Sequence, residues 1–227
     1  IVNYAAVRLY GGRGVAVTGF LGGLASSTAV VGSAVDHVRS DAAATPYAVA
    51  AVLLGNAAMA LRNLGIALVF TLGATVPPLT DVAVPLAVLA AGSVGAAAVV
   101  ADRGGSLEVS LDRPFTLRYA LGFGLLFLLV VIAGSLADSL FGTAGCYVTA
   151  ALAGRVSATG VTTSAVVLYR SGAMPREKAA VGILVATAAS LAVKIALTAS
   201  APDRGFTLRV AGWSTATAPS AASSWSS

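Results

Sequence analysis

The chain has 227 residues, of which 57% are apolar and only 10% charged, and its mean hydropathy is +0.89. A soluble domain carries roughly a quarter charged residues, so this composition excludes the soluble globular class and predicts an all-α, polytopic transmembrane helical bundle in a lipid bilayer. The net charge of +5 does not point to nucleic acid, because the basic residues fall mostly at the ends of apolar segments, where membrane sorting and lipid phosphates explain them.

A bilayer core takes about 20 mostly apolar residues in a helix, and the gaps between charges give about six apolar segments by that measure. Residues 1–10 read as the end of a helix closed by Gly11, Gly12 and Arg13. The start at Ile1, inside an apolar phrase, fits either a processed N-terminus or the absence of an upstream portion. Residues 14–35 are uncharged and long enough to cross, yet they contain Gly14, Gly19, Gly22, Gly23 and Gly32, with Ser26, Ser27 and Thr28 at the centre. Small residues let backbones approach, and hydroxyls satisfy carbonyls freed at a helix break. Two readings stand: a plain glycine-rich span, or a broken, re-entrant element that returns to the side it entered.

A second span is expected over 46–72, stopped by Pro77 and Pro78 because proline cannot continue a helix. A third covers 82–100. A polar interlude follows over 102–118, and 119–137 is the most apolar segment and the best candidate for a lipid-facing helix. Residues 143–169 are expected to be broken near Gly154, Arg155 and Gly160, and a last strong span covers 179–198. Residues 1–200 thus form a single transmembrane domain, and 201–227 read as a disordered Ser/Ala-rich tail. Arg39, Arg103, Arg113, Arg118, Arg170, Arg176 and Lys178 fall on one face, which the positive-inside rule makes cytoplasmic. Arg8 and Arg13 join that set only if 14–35 re-enters. The expected location is the cell (inner or plasma) membrane.

Charges inside a membrane helix are costly and mark function by default. Arg62, Arg155 and Lys194 lie well inside apolar segments, with no acid as deep. Their functional reading is a cationic polar pathway that holds an anion or repels cations. Their bland reading is snorkelling or capping of broken-helix carbonyls. Asn56, Asn63 and the small residues near them suggest that Arg62 lies on a protein-facing surface. Ser157, Thr159, Thr162, Thr163 and Ser164 form a second hydroxyl cluster, and paired broken helices are how many transporters build mid-membrane sites; back-bonding of Ser and Thr to their own helix is the plain alternative. The candidate pathway is therefore Gly22, Gly23, Ser26, Ser27, Thr28, Asn56, Arg62, Arg155, Ser157, Thr159 and Lys194. His37 beside Asp36 is a possible pH-sensitive pair or a plain interfacial histidine. Cys146 has no partner for a disulfide or metal site. No catalytic constellation, metal site or cofactor motif is present in the sequence, so an enzyme is not expected.

The phrase from Gly19 to Ala29, GFLGGLASSTA, resembles the GLLGGLVSSTA phrase of an uncharacterised bacterial and archaeal membrane family, a domain of unknown function usually found C-terminal to an MgtC/SapB-type membrane domain. The segment at Met59–Arg62, MALR, is similar to that family's MFLR. Arg113–Leu117 is similar to its NPFSL, and 186–194 to its ASNTLVK ending. The resemblance implies an N-terminal MgtC-like portion in the full-length chain and a link to magnesium homeostasis. Where the family typically reads GLADVDA, this chain has Ser157 and Thr159 in place of two aspartates, and Ser190 replaces an asparagine. The leading expectation is a transport-related membrane protein with a polar pathway between 14–35 and 143–169. The alternative is a regulatory or assembly protein that acts through helix–helix contacts with a membrane partner or with its own copies.

Overall fold

A computed structural model of the chain describes residues 12–72, 74–101, 145 and 147–217. Those residues form helices and turns with no strand among them. In chain order the helices are α1 (Gly12–Ser40), α2 (Thr45–Val69), α3 (Ala83–Ala101), α4 (Tyr147–Arg170), α5 (Arg176–Thr198) and α6 (Arg204–Thr217). Four of the six, namely α2 to α5, are long and apolar enough to cross a membrane, which makes this a membrane protein. The expectations for 1–10, 102–118, 119–137, Cys146 and the last ten residues lie outside the described residues.

The chain divides into two compact units. One holds residues up to Arg62, Val84–Leu111 and Val193 onward; the other holds Asn63–Ala83 and Asp112–Ala192. In the first unit α1 is not one rod. Ser26 leaves the helical region, with φ −156° and ψ 103°, and the chain folds back there. Eight residues of unbroken helix span about 12 Å, yet a Cβ built on Gly22 would stand 3.1 Å from Val30 Cγ2. A Cβ on Gly55 of α2 would likewise meet both Val30 and the Gly19 carbonyl, positions eleven apart in sequence. Of the two readings of 14–35, the plain unbroken span is excluded: the element is broken at Ser26 and folds back. Each half-helix, 12–25 and 27–40, is about 21 Å long, short of the roughly 30 Å hydrocarbon core.

Small residues hold this hairpin to α2. A Cβ on Gly19 would sit 2.7 Å from Ala51 Cα, and one on Gly23 2.6 Å from Gly55 Cα. Two small-xxx-small pairs, Gly19/Gly23 and Ala51/Gly55, therefore let the backbones touch, the packing that substitutes for hydrophobic drive in lipid. The returning half buries Val31, Ala34, Val35 and Val38 in one core with Val49, Val52 and Leu53 of α2, Ala96, Ala97 and Val100 of α3, and Phe206 and Val210 of α6. A Cβ on Gly92 of α3 would stand 2.9 Å from Thr217 Cγ2 of α6. Helix α6 corrects the expected disordered tail over Arg204–Thr217. Asp203 Oδ1 caps it by accepting from Gly205 N at 2.8 Å, and apolar residues at helical spacing bury it.

In the second unit, α4 is helical over 147–170, Gly154, Arg155 and Gly160 included, and Ser157 Oγ accepts from Gly160 N at 3.1 Å, the same three-residue bond that Ser26 makes to Ala29 N in α1. Gly154 serves close approach, since a Cβ there would stand 2.5 Å from Ala186 Cα of α5. The hydroxyls bond back along their own helix: Thr162 to the Ala158 carbonyl at 2.9 Å and Thr163 to that of Thr159 at 3.0 Å. The helix ends at Gly172, whose φ of 75° is the left-handed conformation that glycine adopts at a helix C-terminus without strain. Beyond α2, Thr71 Oγ1 accepts from Leu79 N at 3.2 Å, and Tyr169 donates to the Pro77 carbonyl at 2.7 Å. Arg176 forks onto Asp81 at 2.8 and 2.9 Å. Helix α2 thus ends at Val69, ahead of the expected stop at Pro77 and Pro78, and the loop that carries the prolines is tied down.

Candidate functional site

The break in α1 leaves backbone groups that a continuous helix would have used. Ser26 Oγ accepts from Ala29 N at 3.2 Å and so caps the second half-helix. The carbonyls that end the first half are taken by α2. Arg62 Nη1 donates to the Leu24 carbonyl and, at 3.3 Å, to that of Ala25. A guanidinium carries several N–H donors in a fixed fork, and its charge suits the negative pole of a helix C-terminus. Arg62 lies seventeen residues into α2, about 25 Å along it. The bland reading of Arg62, carbonyl capping, is therefore what its side chain does, and the capping happens at depth.

Asn56 and Met59 precede Arg62 at three-residue spacing and so share a face of α2. Onto that face comes Lys194 of α5, only 1% exposed. Its ammonium donates to Asn56 Oδ1 at 3.1 Å and to Met59 Sδ at 3.1 Å. Lysine only donates, which fixes the orientation of the Asn56 amide; its Nδ2 then donates to Ser214 Oγ of α6 at 3.4 Å. Lys194 does not snorkel. Its two acceptors are neutral, and the charge that acts on it is another cation, Arg62. Every aspartate and glutamate among the described residues is exposed or only half-buried.

The sequence-derived candidates therefore separate. Gly22, Gly23, Ser26, Ser27, Thr28, Asn56, Arg62 and Lys194 belong to the first unit, with Gly23, Ser27, Asn56 and Lys194 buried. Arg155, Ser157 and Thr159 belong to the second. Arg155 is exposed, Ser157 Oγ accepts from Gly160 N at 3.1 Å, and Thr159 donates to Asn63 Oδ1 at 2.8 Å. Asn63 is fully buried, and its Nδ2 has no acceptor among the described residues. His37 does not pair with Asp36. Its Nδ1 lies 2.6 Å from the Ser33 carbonyl, while Asp36 faces Arg39 at 3.6 Å.

Sequence reasoning missed Met59 and Ser214. Met59 was legible as the residue one turn after Asn56. Ser214 was legible only by reading Asp203 as a helix cap followed by Phe206, Val210 and Ser214 at four-residue spacing. At the rim of the same unit, Thr45 Oγ1 donates to Asp203 Oδ2 at 2.9 Å, which holds that carboxyl below its ordinary pKa. Arg39 donates to the Ser200 carbonyl at 2.9 Å.

Comparison with known proteins gives one family. A family model described as a domain of unknown function, DUF4010, matches residues 1–201. No curated protein and no solved structure matches the chain.

Proposed function

We propose, for a chain that belongs to the DUF4010 family of domains of unknown function, a transport-related role: movement of an ion or small solute through a polar intramembrane centre. The observation that carries this reading is the helix break at Ser26, held open at depth by Arg62 and faced by the buried Lys194–Asn56 pair. Broken helices with backbone poles at mid-membrane are how transporters expose binding groups without exposing backbone to lipid. Burying a lysine and an asparagine is costly in an apolar helical unit, and a purely structural bundle has no need of it. The machinery is non-enzymatic and resides in a cell membrane. Its connection to an MgtC-like N-terminal domain and to magnesium homeostasis rests on the sequence resemblance alone.

Flux in reconstituted vesicles tests this. Under a solute gradient, Arg62→Ala and Ser27→Ala are each expected to reduce flux. If both leave a measured flux untouched, the pathway does not run here.

A second reading has its own observation. The exposed face of α3 carries Ala87, Ala91, Gly95 and Ala98, and a Cβ on Gly95 would meet nothing within 4 Å. Such a small-residue ridge suits close packing against another membrane helix, in a second copy or in a different partner. Stoichiometric co-purification of a membrane protein, with no flux under any gradient, would favour this regulatory or assembly role.

A further inference from the structure

From the surroundings of Lys194 we infer that the polar centre of the first unit is a binding site for a small monovalent inorganic anion of the halide class. The inference rests on the polar centre proposed above and names what that centre takes.

Three observations converge. Lys194 is buried, and its ammonium has two acceptors, the Asn56 amide oxygen and the Met59 sulfur. Neither is charged, and a thioether is a weak acceptor. A buried ammonium is normally matched by a carboxylate, because desolvation of the charge is otherwise uncompensated. Among the described residues no matching acid is present: no aspartate or glutamate there bonds Lys194, and none is buried. The charge that does act on it has the same sign, since the Arg62 guanidinium lies within electrostatic reach. Finally, the second half of α1 begins two residues beyond the carbonyls that Arg62 holds. The positive pole of that half-helix adds to the same field. The missing element is one negative charge that accepts hydrogen bonds.

The chemistry of the walls sets the class. Lys194 is almost wholly buried beside Asn56 and Met59, so a ligand that reaches it is a compact ion and not a bulky organic acid. One ammonium without a counter-charge calls for one negative charge. A divalent cation would meet two positive side chains, so a link to magnesium does not run through direct coordination here.

The test uses the full chain in lipid nanodiscs, with bromide as probe and calorimetric titration as readout. Wild type is expected to bind bromide saturably at one site. Lys194→Met, close in shape but uncharged, should weaken binding at least about tenfold, the worth of a hydrogen bond to a charged group. Lys194→Arg should retain binding. Asn56→Asp provides an independent arm that keeps the lysine buried: a carboxylate beside Lys194 supplies the missing charge internally, and bromide binding should fall by a similar factor. Absence of saturable bromide binding in wild type, or equal binding by wild type and Asn56→Asp, overturns the inference. So does a magnesium titration that saturates at the same centre and is altered by Asn56→Asp. Vesicle flux separates this idea from the transport reading. Flux of a solute without bromide binding overturns the anion site and leaves transport standing, whereas bromide binding with no flux of any solute supports the site and removes transport.

Discussion

Helices α1 and α4 look alike in sequence: both are glycine-interrupted, both carry a run of Ser and Thr near the centre, and both have an arginine nearby. One folds back on itself at Ser26, while the other brings Gly154 against the backbone of α5. The difference lies in what each neighbourhood offers the backbone. At Ser26 the freed carbonyls have an external donor, the Arg62 fork, and the new helix start has its own cap, Ser26 Oγ. In α4 Ser157 Oγ takes Gly160 N in the same way, but threonine hydroxyls return to carbonyls one turn back and the nearby arginine, Arg155, is exposed. Glycine permits a break in a membrane helix; a satisfied set of backbone groups on both sides of it is what makes the break stable.

That contrast can be attacked by substitution, followed by thermal or denaturant unfolding in detergent. The largest effect is expected at the close-approach glycines. Gly154→Leu drives a side chain into the Ala186 backbone and should cost about 3 kcal/mol, the upper part of the overpacking range. Gly182→Ala on α5, where an added Cβ meets nothing within 4 Å, should instead be neutral or stabilise by about 0.5 kcal/mol. Next come the two arginines. Arg62→Met strands the Leu24 and Ala25 carbonyls and should cost about 2 kcal/mol, with faster amide exchange around Ser26; Arg155→Met should stay within about 0.5 kcal/mol. Equal costs for the two arginines would remove Arg62 as the reason α1 is broken. The serines come next. Ser26→Ala loses a cap and should cost about 1 kcal/mol. Ser157→Ala loses the same bond, to Gly160 N, and should cost about as much.

The smallest expected effect depends on pH. The Thr45 hydroxyl holds the Asp203 carboxyl below its ordinary value. A carboxyl depressed on folding stabilises fully above its unfolded pKa, and that contribution is lost as pH falls through the folded value. Thr45→Val should therefore raise the Asp203 pKa in an NMR titration. Its stability deficit relative to wild type should be present at pH 5 and shrink as pH drops below about 4, the ordinary aspartate range.

Much of this was legible in the residues. The charge gaps located α2, α3, α4 and α5 to within a few residues, because membrane helices must be both long and apolar. The break at Ser26 was legible as an option, since the glycines and the three hydroxyls permit it. Choosing between span and hairpin required Arg62 and the Gly55–Val30 contact, which are separated from Ser26 in sequence and meet only in three dimensions. Gly154 poses the same problem: glycine for a kink and glycine for close packing are the same letter, and its contact with Ala186 appears only in three dimensions. Lys194 was found as an oddity near a helix end, and its partner Asn56 was found separately, but nothing local joins residues 138 apart. Helix α6 was hidden by its Ser/Ala-rich composition, which a single cap at Asp203 and two buried apolar residues outweigh.

Whether α1 returns to its own side decides the placement of the polar centre. With Cys146 replaced by serine, single cysteines at Arg13→Cys and Ser40→Cys can be labelled by a membrane-impermeant maleimide and, as a spin-labelled pair, measured for distance. A hairpin expects both sites to react from the same face of the membrane, at a separation roughly half or less of the ~40 Å that an unbroken helix between them would span. Labelling from opposite faces, at about 40 Å, would contradict it.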